Sequence, residues 1–178
     1  PKRKRDWFEK FRWFKTSDEL LVVGGRDAKS NEEIVKKFLD GGDLFFHADV
    51  IGASHCALKT KANQAPEQSK LEAAQFAVVF SRAWQSGATQ ADAYGALPSQ
   101  VTKQAQSGEF VGKGAFMVYG EREWYRKTAL SCAVGIEKIG DDFRVISGPV
   151  SAVQKHALHF VELAPGTEEK SAVAKKIW

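Results

Sequence analysis

The sequence predicts an α+β fold, a single domain in which helices flank a mixed, mainly antiparallel sheet. Short runs of β-branched and aromatic residues are separated by glycine-rich or polar turns, which is typical of strands joined by hairpins. The longest helical pattern, Leu71–Ser86, stands apart from those runs instead of alternating with them. The chain has 178 residues, 43% of them hydrophobic, which is enough for one domain with a substantial core.

Composition argues against several classes of protein. No apolar run approaches the roughly 18 residues that a membrane-spanning helix needs, so we expect a cytoplasmic protein with no membrane partner. The two cysteines, Cys56 and Cys132, lack the spacing of a zinc ribbon, and we expect both to be buried thiols. The net charge of +4 and the isoelectric point near 9.0 favour polyanionic partners only weakly.

The first sixteen residues predict a basic amphipathic helix. Four aromatic residues recur at spacings of one, three and four, as on one stripe of a helix: Trp7, Phe8, Phe11 and Phe14. We expect this stripe to pack on the core while the basic residues face water. The alternative is an exposed stripe whose rings stack on nucleic-acid bases.

The next stretch predicts a strand, a glycine turn, a short helix and a second strand. Leu20–Val23 is a short β-type run, and a pair of glycines interrupts it. Ser30 and Glu33 form a capping box, which predicts a helix that begins at Ser30. The alternating run Asp43–Asp49 predicts the second strand.

The remaining elements follow the same signals. Ile51–Lys59 predicts a strand, and a second capping box, Ser69 with Glu72, predicts the start of the longest helix. Ala88–Gly112 shows few clear elements. Four later runs predict strands: Gly114–Gly120, Ala129–Ile136, Phe143–Ser147 and His159–Leu163. Two more helices are predicted, one over Ser151–His156 and one capped by Thr167.

The turn Gly24-Gly25-Arg26-Asp27 is a candidate phosphate site. Glycines let backbone N–H groups approach an anion, and the start of the following helix adds a favourable partial charge. Arg26 would add a bidentate contact to phosphate. The turn is not a P-loop, because neither GxxxxGK[ST] nor GxGxxG is present. The alternative is a tight turn in which Asp27 ties down its own backbone.

His47 and Asp49 point to the same face of the predicted strand, and His55 follows six residues later. A metal pair is geometrically possible, but a zinc site needs at least three ligands. We therefore expect no metal and no cofactor, and a histidine hydrogen-bonded to a carboxylate. Neither GxSxG nor HExxH occurs, so no nucleophile or zinc-protease arrangement is predicted.

Basic and aromatic residues interleave over a further predicted strand: Lys113, Tyr119, Arg122, Trp124, Tyr125 and Arg126. This composition suits binding of single-stranded RNA or RNA loops, because charge holds the backbone while rings stack on bases. The alternative is a strand end with a solvated basic rim.

Several separate motifs, in the same order, resemble the NFACT-R domain. They are WFEKFRWFKTSDELLVVGGRDAKSNEEIVKKFL, GDLFFHADVIGAS, AAQFAVVFSRAW, LPSQVTKQAQSGEF and KGAFMVYGEREWY. The resemblance covers residues 6–126, and residues 145–166 are similar to an extension of archaeal members. It implies one domain over residues 1–178. Residues 1–16 would be a leading helix that continues from a preceding coiled coil, 17–126 the core motifs, and 127–178 the C-terminal strands and helix.

The resemblance also implies a function. NFACT-R is the non-catalytic, RNA-binding C-terminal module of ribosome quality-control proteins. The implied partners are tRNA and large-subunit rRNA, the ribosome with its obstructed large subunit, and the remaining domains of the parent protein. The positions that match the family motifs are Gly24, Gly25, Arg26, Asp27, Asn31, His47, Asp49, Gly52, Gln100 and Lys103, and all of these except Gln100 are expected to contact RNA. The basic and aromatic set adds Lys113, Arg122 and Arg126.

Two other hypotheses remain open at the level of sequence. The first is a phosphate- or metal-dependent enzyme that acts on RNA through Asp27, His47 and Asp49. The second is a protein-docking module that uses the aromatic stripe Trp7–Phe14. The chain also departs from the family pattern at Ala93–Leu97, where an aromatic-rich segment is usual, and at Thr102, where serine is common.

Overall fold

The computed structural model describes residues 3–106 and 108–177, and within these ranges it has eleven strands and five α-helices. The strands are β1 (Arg12–Lys15), β2 (Leu21–Gly24), β3 (Leu44–Ala48), β4 (Cys56–Leu58), β5 (Gln90–Ala96), β6 (Val101–Thr102), β7 (Met117–Val118), β8 (Glu123–Ala129), β9 (Cys132–Ile139), β10 (Asp142–Gly148) and β11 (His159–Leu163). The helices are α1 (Ala28–Glu33), α2 (Glu67–Val79), α3 (Arg82–Gln85), α4 (Val150–His156) and α5 (Lys170–Ile177). Within the described ranges, every helix is too short or too polar to cross a lipid bilayer.

The strands form three sheets. The largest has six strands in the order β1-β2-β4-β3-β5-β8, and a smaller sheet has the order β10-β9-β11. The third sheet is the pair β6 and β7. All strand pairings in the described ranges are antiparallel, so the predicted α+β class with a mainly antiparallel sheet is confirmed.

Both faces of the six-stranded sheet are covered. On one face α2 packs in a core cluster that includes Phe46 and Phe76. On the other face Phe45 packs with Tyr94 in a separate cluster. Phe45 and Phe46 are each only 1% exposed, although they point in opposite directions from β3. The candidate site described below lies on the face opposite α2.

The predicted leading helix over residues 1–16 is wrong for the described part of this segment, from residue 3 onward. Trp7–Lys10 forms a single 3-10 turn, and the chain then continues as β1, which pairs with β2 in a hairpin. Phe11 and Phe14 are both buried but belong to core clusters on opposite faces. A spacing of three residues fits one stripe of a helix, but in an extended chain it sends the two side chains to opposite faces.

The aromatic stripe is therefore core and not a docking surface. Phe8, Phe11 and Phe14 are at most 9% exposed. Trp7 is 45% exposed, but its ring stacks on Phe38 at a centroid distance of 4.7 Å. The docking hypothesis required these rings to be exposed, so its predicted surface does not exist.

Both predicted capping boxes lie inside their helices. Asp27 is the N-cap of α1, and Ser30 is the third helical residue, whose backbone N–H donates to the Asp27 carboxylate at 2.7 Å. Helix α2 begins after Pro66, and its Ser69 and Glu72 are buried. They bond to residues far away in sequence: the Ser69 hydroxyl donates to Thr16 Oγ1 at 2.8 Å, and Glu72 accepts from the Ser17 N–H at 2.9 Å. A local sequence pattern cannot reveal such tertiary partners.

The region predicted to have few elements contains β5, which lies between β3 and β8 in the large sheet. Its residues are mostly alanine and glycine, which have weak strand preference. The large Phe46 ring requires a small residue at Gly95, because a Cβ there would lie 3.2 Å from that ring. The predicted strand His159–Leu163 is confirmed as β11, whereas the run Gly114–Gly120 contributes only β7.

Candidate nucleic-acid interface

A cleft of about 390 Å³ opens on the sheet face opposite α2. Its lining includes the start of α1 and the loop over residues 113–118, which meet where Gly114 packs against Ala28. The cleft brings together seven of the predicted site residues: Gly25, Arg26, Asp27, Asn31, His47, Gly52 and Lys113. It does not include the other predicted positions: Gly24, Asp49, Gln100, Lys103, Arg122 and Arg126.

The paired glycines are required by close packing. A Cβ on Gly24 would lie 2.8 Å from the Phe76 ring, inside the core. A Cβ on Gly25 would lie 1.8 Å from the side-chain oxygen of Asn31. That same oxygen accepts the backbone N–H of His55 at 3.1 Å, while the Gly25 N–H donates to the His55 carbonyl at 3.2 Å. Gly25 and Asn31 thus tie the turn to the segment that leads into β4.

The turn does not offer free backbone amides to a phosphate. The N–H groups of Arg26 and Asp27 both donate to the Ser30 hydroxyl, at 2.7 and 3.0 Å. The Asp27 carboxylate occupies the start of α1, and its hydrogen bonds from Ser30 lower the pKa of Asp27. The interpretation of this turn as a backbone anion cradle is therefore corrected, because its donors are already used. Any anion at this corner must be bound by side chains.

Arg12 supplies a charge at the cleft that the sequence interpretation missed. One terminal nitrogen of its guanidinium donates to the Gly25 carbonyl at 3.1 Å and to Ser54 Oγ at 2.8 Å. The guanidinium also lies over the Phe80 ring, 4.5 Å from the ring centroid. Arg12 is opposite Gly24 in the β1–β2 hairpin. A strand predicted over residues 12–15 would place Arg12 beside the turn, whereas the predicted helix does not.

Two arginines therefore share one corner of the cleft. Burial lowers the pKa of Arg12, and the positive charge of the neighbouring Arg26 lowers it further. Asp27 offsets only part of this repulsion. Arg26 is exposed, and its guanidinium donates a long hydrogen bond of 3.3 Å to the Phe11 carbonyl. A bound anion would relieve the repulsion between the two guanidinium groups.

The deep part of the cleft holds two histidines in contact. The rings of His47 and His55 meet edge to face with centroids 4.7 Å apart, and the Phe116 ring lies 5.5 Å from His55. His55 is 7% exposed, and its Nδ1 atom has no hydrogen-bond partner among the described residues. His55 was noted in the sequence only as a possible metal ligand.

Both imidazoles are neutral at neutral pH. Burial lowers the pKa of His55 to about 3; the positive charge of Lys103, and that of His47 whenever it is protonated, add to the effect, and Glu32 opposes it. Burial also lowers the pKa of His47, and Arg122 lowers it further. Neutral imidazoles can both donate and accept hydrogen bonds, so the deep part of the cleft is polar but uncharged.

Acidification is expected to destabilise the fold because of these histidines. A histidine whose pKa is lowered by folding binds its proton only in the unfolded state, so the free energy of unfolding falls as pH drops below about 6.5. The loss approaches about 1.4 kcal/mol per pH unit for each such histidine. Urea unfolding at pH 7, 6 and 5 measures it. His55→Gln should flatten the dependence, whereas His159→Gln, at an exposed site on β11, should not; equal slopes in all three proteins would contradict this account.

Lys103 does not line the cleft; it holds in place the loop over residues 113–118, which does. Its ammonium lies 2.8 Å from Glu32 Oε2, 2.8 Å from the Gly112 carbonyl and 4.4 Å from the centroid of the Phe116 ring. Glu32 also accepts the Gly114 N–H at 2.8 Å. Hydrogen bonds from Lys103 first, and then from Lys36 and Gly114, lower the pKa of Glu32 to about 2. This Lys103–Glu32–Gly114 clamp fixes the loop against α1.

Arg122 and Arg126 form a separate patch around Trp124. Arg126 lies 3.8 Å from the Trp124 ring centroid, and Arg122 lies 4.5 Å from the Tyr94 ring centroid. Trp124 is 37% exposed. Because Tyr94 lines the cleft and also contacts Arg122, the patch adjoins the cleft. Of the other predicted positions, Gln100 donates to the Tyr119 and Glu121 carbonyls, at 2.7 and 2.6 Å, and so holds the backbone of a turn.

The residues of the enzyme hypothesis do not converge. Asp27 and His47 both line the cleft, but Asp49 is exposed and lies outside it. Among the residues that the structure describes, no group of three or more His, Cys, Asp or Glu side chains could hold a metal ion. His47 also lacks the predicted carboxylate hydrogen bond: it bonds to the backbone of Ala48 and Ala53, and Asp49 acts on it only through its charge.

Comparison with known proteins identifies a family and several relatives that are similar to this chain. The family model described as "NFACT protein RNA binding domain" matches residues 10–120. The archaeal Rqc2 homolog aRqcH of Methanocaldococcus jannaschii is 39% identical over 176 residues, which are 99% of this chain and 26% of that protein. The human ribosome quality control complex subunit NEMF is 39% identical over 123 residues, which are 68% of this chain and 11% of that protein.

A solved structure shares the fold. The C-terminal part of the fibronectin/fibrinogen-binding protein from Streptococcus suis superposes with a TM-score of 0.56, at 22% identity, over 72% of this chain and 47% of that one. The chain spans about a quarter of the length of its archaeal relative and a smaller share of the human one.

Proposed function

Because the chain belongs to the family of NFACT RNA-binding domains, we propose that it binds RNA through the cleft lined by the start of α1 and the loop over residues 113–118. It acts as a non-catalytic module of a ribosome quality-control factor, contacting tRNA, large-subunit rRNA or both on the obstructed large ribosomal subunit. The names of its relatives support association with ribosome quality control.

The observation that carries the proposal is the pairing of Arg12 and Arg26 at one corner of the cleft. Arg12 is partly desolvated, and its pKa is lowered by burial and by Arg26. Held together in this way, two guanidinium groups favour an anion, and their planar geometry matches the oxygens of phosphate. Lys113, which is exposed and lines the same cleft, adds a third positive charge for an RNA backbone to contact.

The Arg122, Trp124 and Arg126 patch extends this surface. Its guanidinium groups stack on aromatic rings, which holds the charges in place while leaving Trp124 partly exposed. An exposed ring between two positive charges is a suitable platform for a base next to phosphates. The patch and the cleft meet at Tyr94, so a single RNA segment can contact both.

Arg26→Ala is expected to weaken RNA binding by about 1–3 kcal/mol, because it removes a charged hydrogen bond to phosphate. Filter binding of a structured RNA across a salt series measures the change. Affinity should fall steeply with salt, and the salt dependence should be shallower for the variant by about one phosphate contact. The fold should be retained, since Arg26 is exposed.

The matched control is Lys138→Ala, which removes one positive charge from an exposed position on β9, away from the cleft. It should bind RNA like the unaltered domain. If Arg26→Ala and Lys138→Ala weaken binding equally, the affinity comes from net charge and not from the cleft. If the unaltered domain shows no RNA binding even at low salt, the proposed function is wrong.

A further inference from the structure

The deep part of the cleft has a chemistry that phosphate binding does not explain. Its polar groups include the uncharged imidazoles of half-buried His47 and buried His55, which lie among aromatic rings. The Nδ1 atom of His55 has no partner among the described residues. A buried polar atom without a hydrogen bond destabilises a fold, and such atoms are rare in structural cores. Its presence at the wall of an open cleft suggests that the site accommodates a polar ligand.

The walls of the cleft are aromatic. The Phe116 ring lies 5.5 Å from His55 on one side, and the Tyr94 ring lies 5.9 Å from His47 on another. Phe45 lies beneath them, with its ring parallel to His47 at 6.2 Å. Flat, apolar walls around neutral hydrogen-bonding groups fit a planar heterocycle, which stacks through its faces and bonds through its edge.

The size and charge of the cleft fit one nucleotide unit. Its volume of about 390 Å³ is within the range of roughly 300–1,000 Å³ that is usual for small-ligand sites. The positive groups Arg12, Arg26 and Lys113 line the same cleft as the neutral histidines. A phosphate bound by the arginines can therefore be continuous with a base that enters the deep part.

We propose that the cleft receives a single unpaired nucleobase of a bound RNA, with the adjoining phosphate on Arg12 and Arg26. This proposal rests on the proposed RNA-binding function and adds to it a preference for unpaired RNA. The base stacks against Phe116 and hydrogen-bonds through its edge to His47 and His55. A base inside a duplex cannot enter, because its edge is already paired and its faces are already stacked.

Phe116 is a suitable residue for the test because it is only half-buried and lies on the loop side of the cleft. Phe116→Leu keeps an apolar side chain of similar length but removes the flat ring. The matched control is Phe143→Ala, which removes an exposed phenyl ring from β10, outside the cleft. Near-ultraviolet and far-ultraviolet circular dichroism verify that each variant is folded.

The experiment compares three ligands: a short single-stranded RNA with one 2-aminopurine, the blunt duplex of the same RNA, and free nucleoside monophosphates. The unaltered domain is expected to bind the single strand about tenfold or more tightly than the duplex, and the 2-aminopurine fluorescence should be quenched by stacking. Phe116→Leu should lose most of that preference and the quenching but retain its affinity for the duplex. Phe143→Ala should behave like the unaltered domain.

Equal affinity for single strand and duplex, unchanged by Phe116→Leu, would overturn the nucleobase proposal while leaving RNA binding intact. Tight binding of free monophosphates that the single-stranded RNA does not displace would also overturn it, because the cleft would then be a mononucleotide site. Failure of the domain to bind either RNA would instead refute the proposed function itself.

Discussion

Asp43→Ala is expected to lower the free energy of unfolding by about 3 kcal/mol. Asp43 is 1% exposed and accepts hydrogen bonds from the backbone N–H groups of Asp40, at 2.8 Å, and Thr60, at 3.0 Å. It also forms an ion pair with Lys59. Removing the carboxylate would leave these donors without a partner at the start of β3, the strand that carries His47. Urea unfolding monitored by circular dichroism measures the loss.

Asp40 provides the matched control, because its side chain bonds to the same lysine. Asp40→Ala removes a carboxylate that lies 2.8 Å from Lys59 but whose side chain is 75% exposed. Exposed ion pairs contribute little, so the expected loss is below about 1 kcal/mol. If the two substitutions had equal effects, Asp43 would contribute only through its charge pair with Lys59, and the role assigned to its backbone hydrogen bonds would be wrong.

Gly114→Ala is expected to reduce RNA affinity at least about tenfold, together with a stability loss of about 2 kcal/mol. Gly114 has a φ of +76°, and a Cβ there would lie 2.5 Å from Ala28 Cα, at the start of α1. The loop would have to move away from α1, which breaks the hydrogen bond from the Gly114 N–H to Glu32. Lys113 and Phe116 would move with it. Filter binding and urea unfolding on the same protein measure both effects.

Gly112→Ala is the control within the same loop. The atom nearest to a Cβ there is in Phe110, at 3.9 Å, which is an ordinary van der Waals contact. This substitution should change neither RNA affinity nor stability by more than experimental scatter. Should Gly114→Ala bind RNA normally despite its lower stability, the position of this loop would not matter for binding, and the loop side of the cleft would have to be reassigned.

Local sequence patterns predicted those helices and strands that depend mainly on residues close together in the sequence. The strand His159–Leu163 and the helix after Pro149 have short-range signals and lie close to where those signals indicate. Strand β5 is not predicted because its three alanines and one glycine have weak strand preference; Gly95 is required by the Phe46 ring, which would lie 3.2 Å from a Cβ. The aromatic N-terminus predicts a helix because spacings of three fit one helical stripe, but in the structure these rings lie on two sides of a sheet.

The sequence indicated several residues that line the candidate cleft, but not the role of each of them. The turn that begins at Gly24 does border the cleft, but the N–H groups of Arg26 and Asp27 already donate to Ser30, so we assign the proposed anion binding to arginine side chains instead of the backbone. Arg12 could not be assigned to the cleft without the β1–β2 pairing. Lys103 is predicted to contact RNA, but in the structure its ammonium pairs with Glu32. The two residues lie far apart in the sequence, so no local pattern reveals this pair.

The most direct test of the account is to find which residues touch RNA. Ultraviolet crosslinking of the domain to a bound RNA, followed by mass spectrometry of the crosslinked peptides, identifies them. We expect crosslinks in the peptides that carry Arg26 and Phe116, with further crosslinks at Trp124, and loss of the Phe116 crosslink in Gly114→Ala. Crosslinks confined to the β9–β11 sheet or to α5 would contradict it, because RNA would then bind a surface that the cleft does not share.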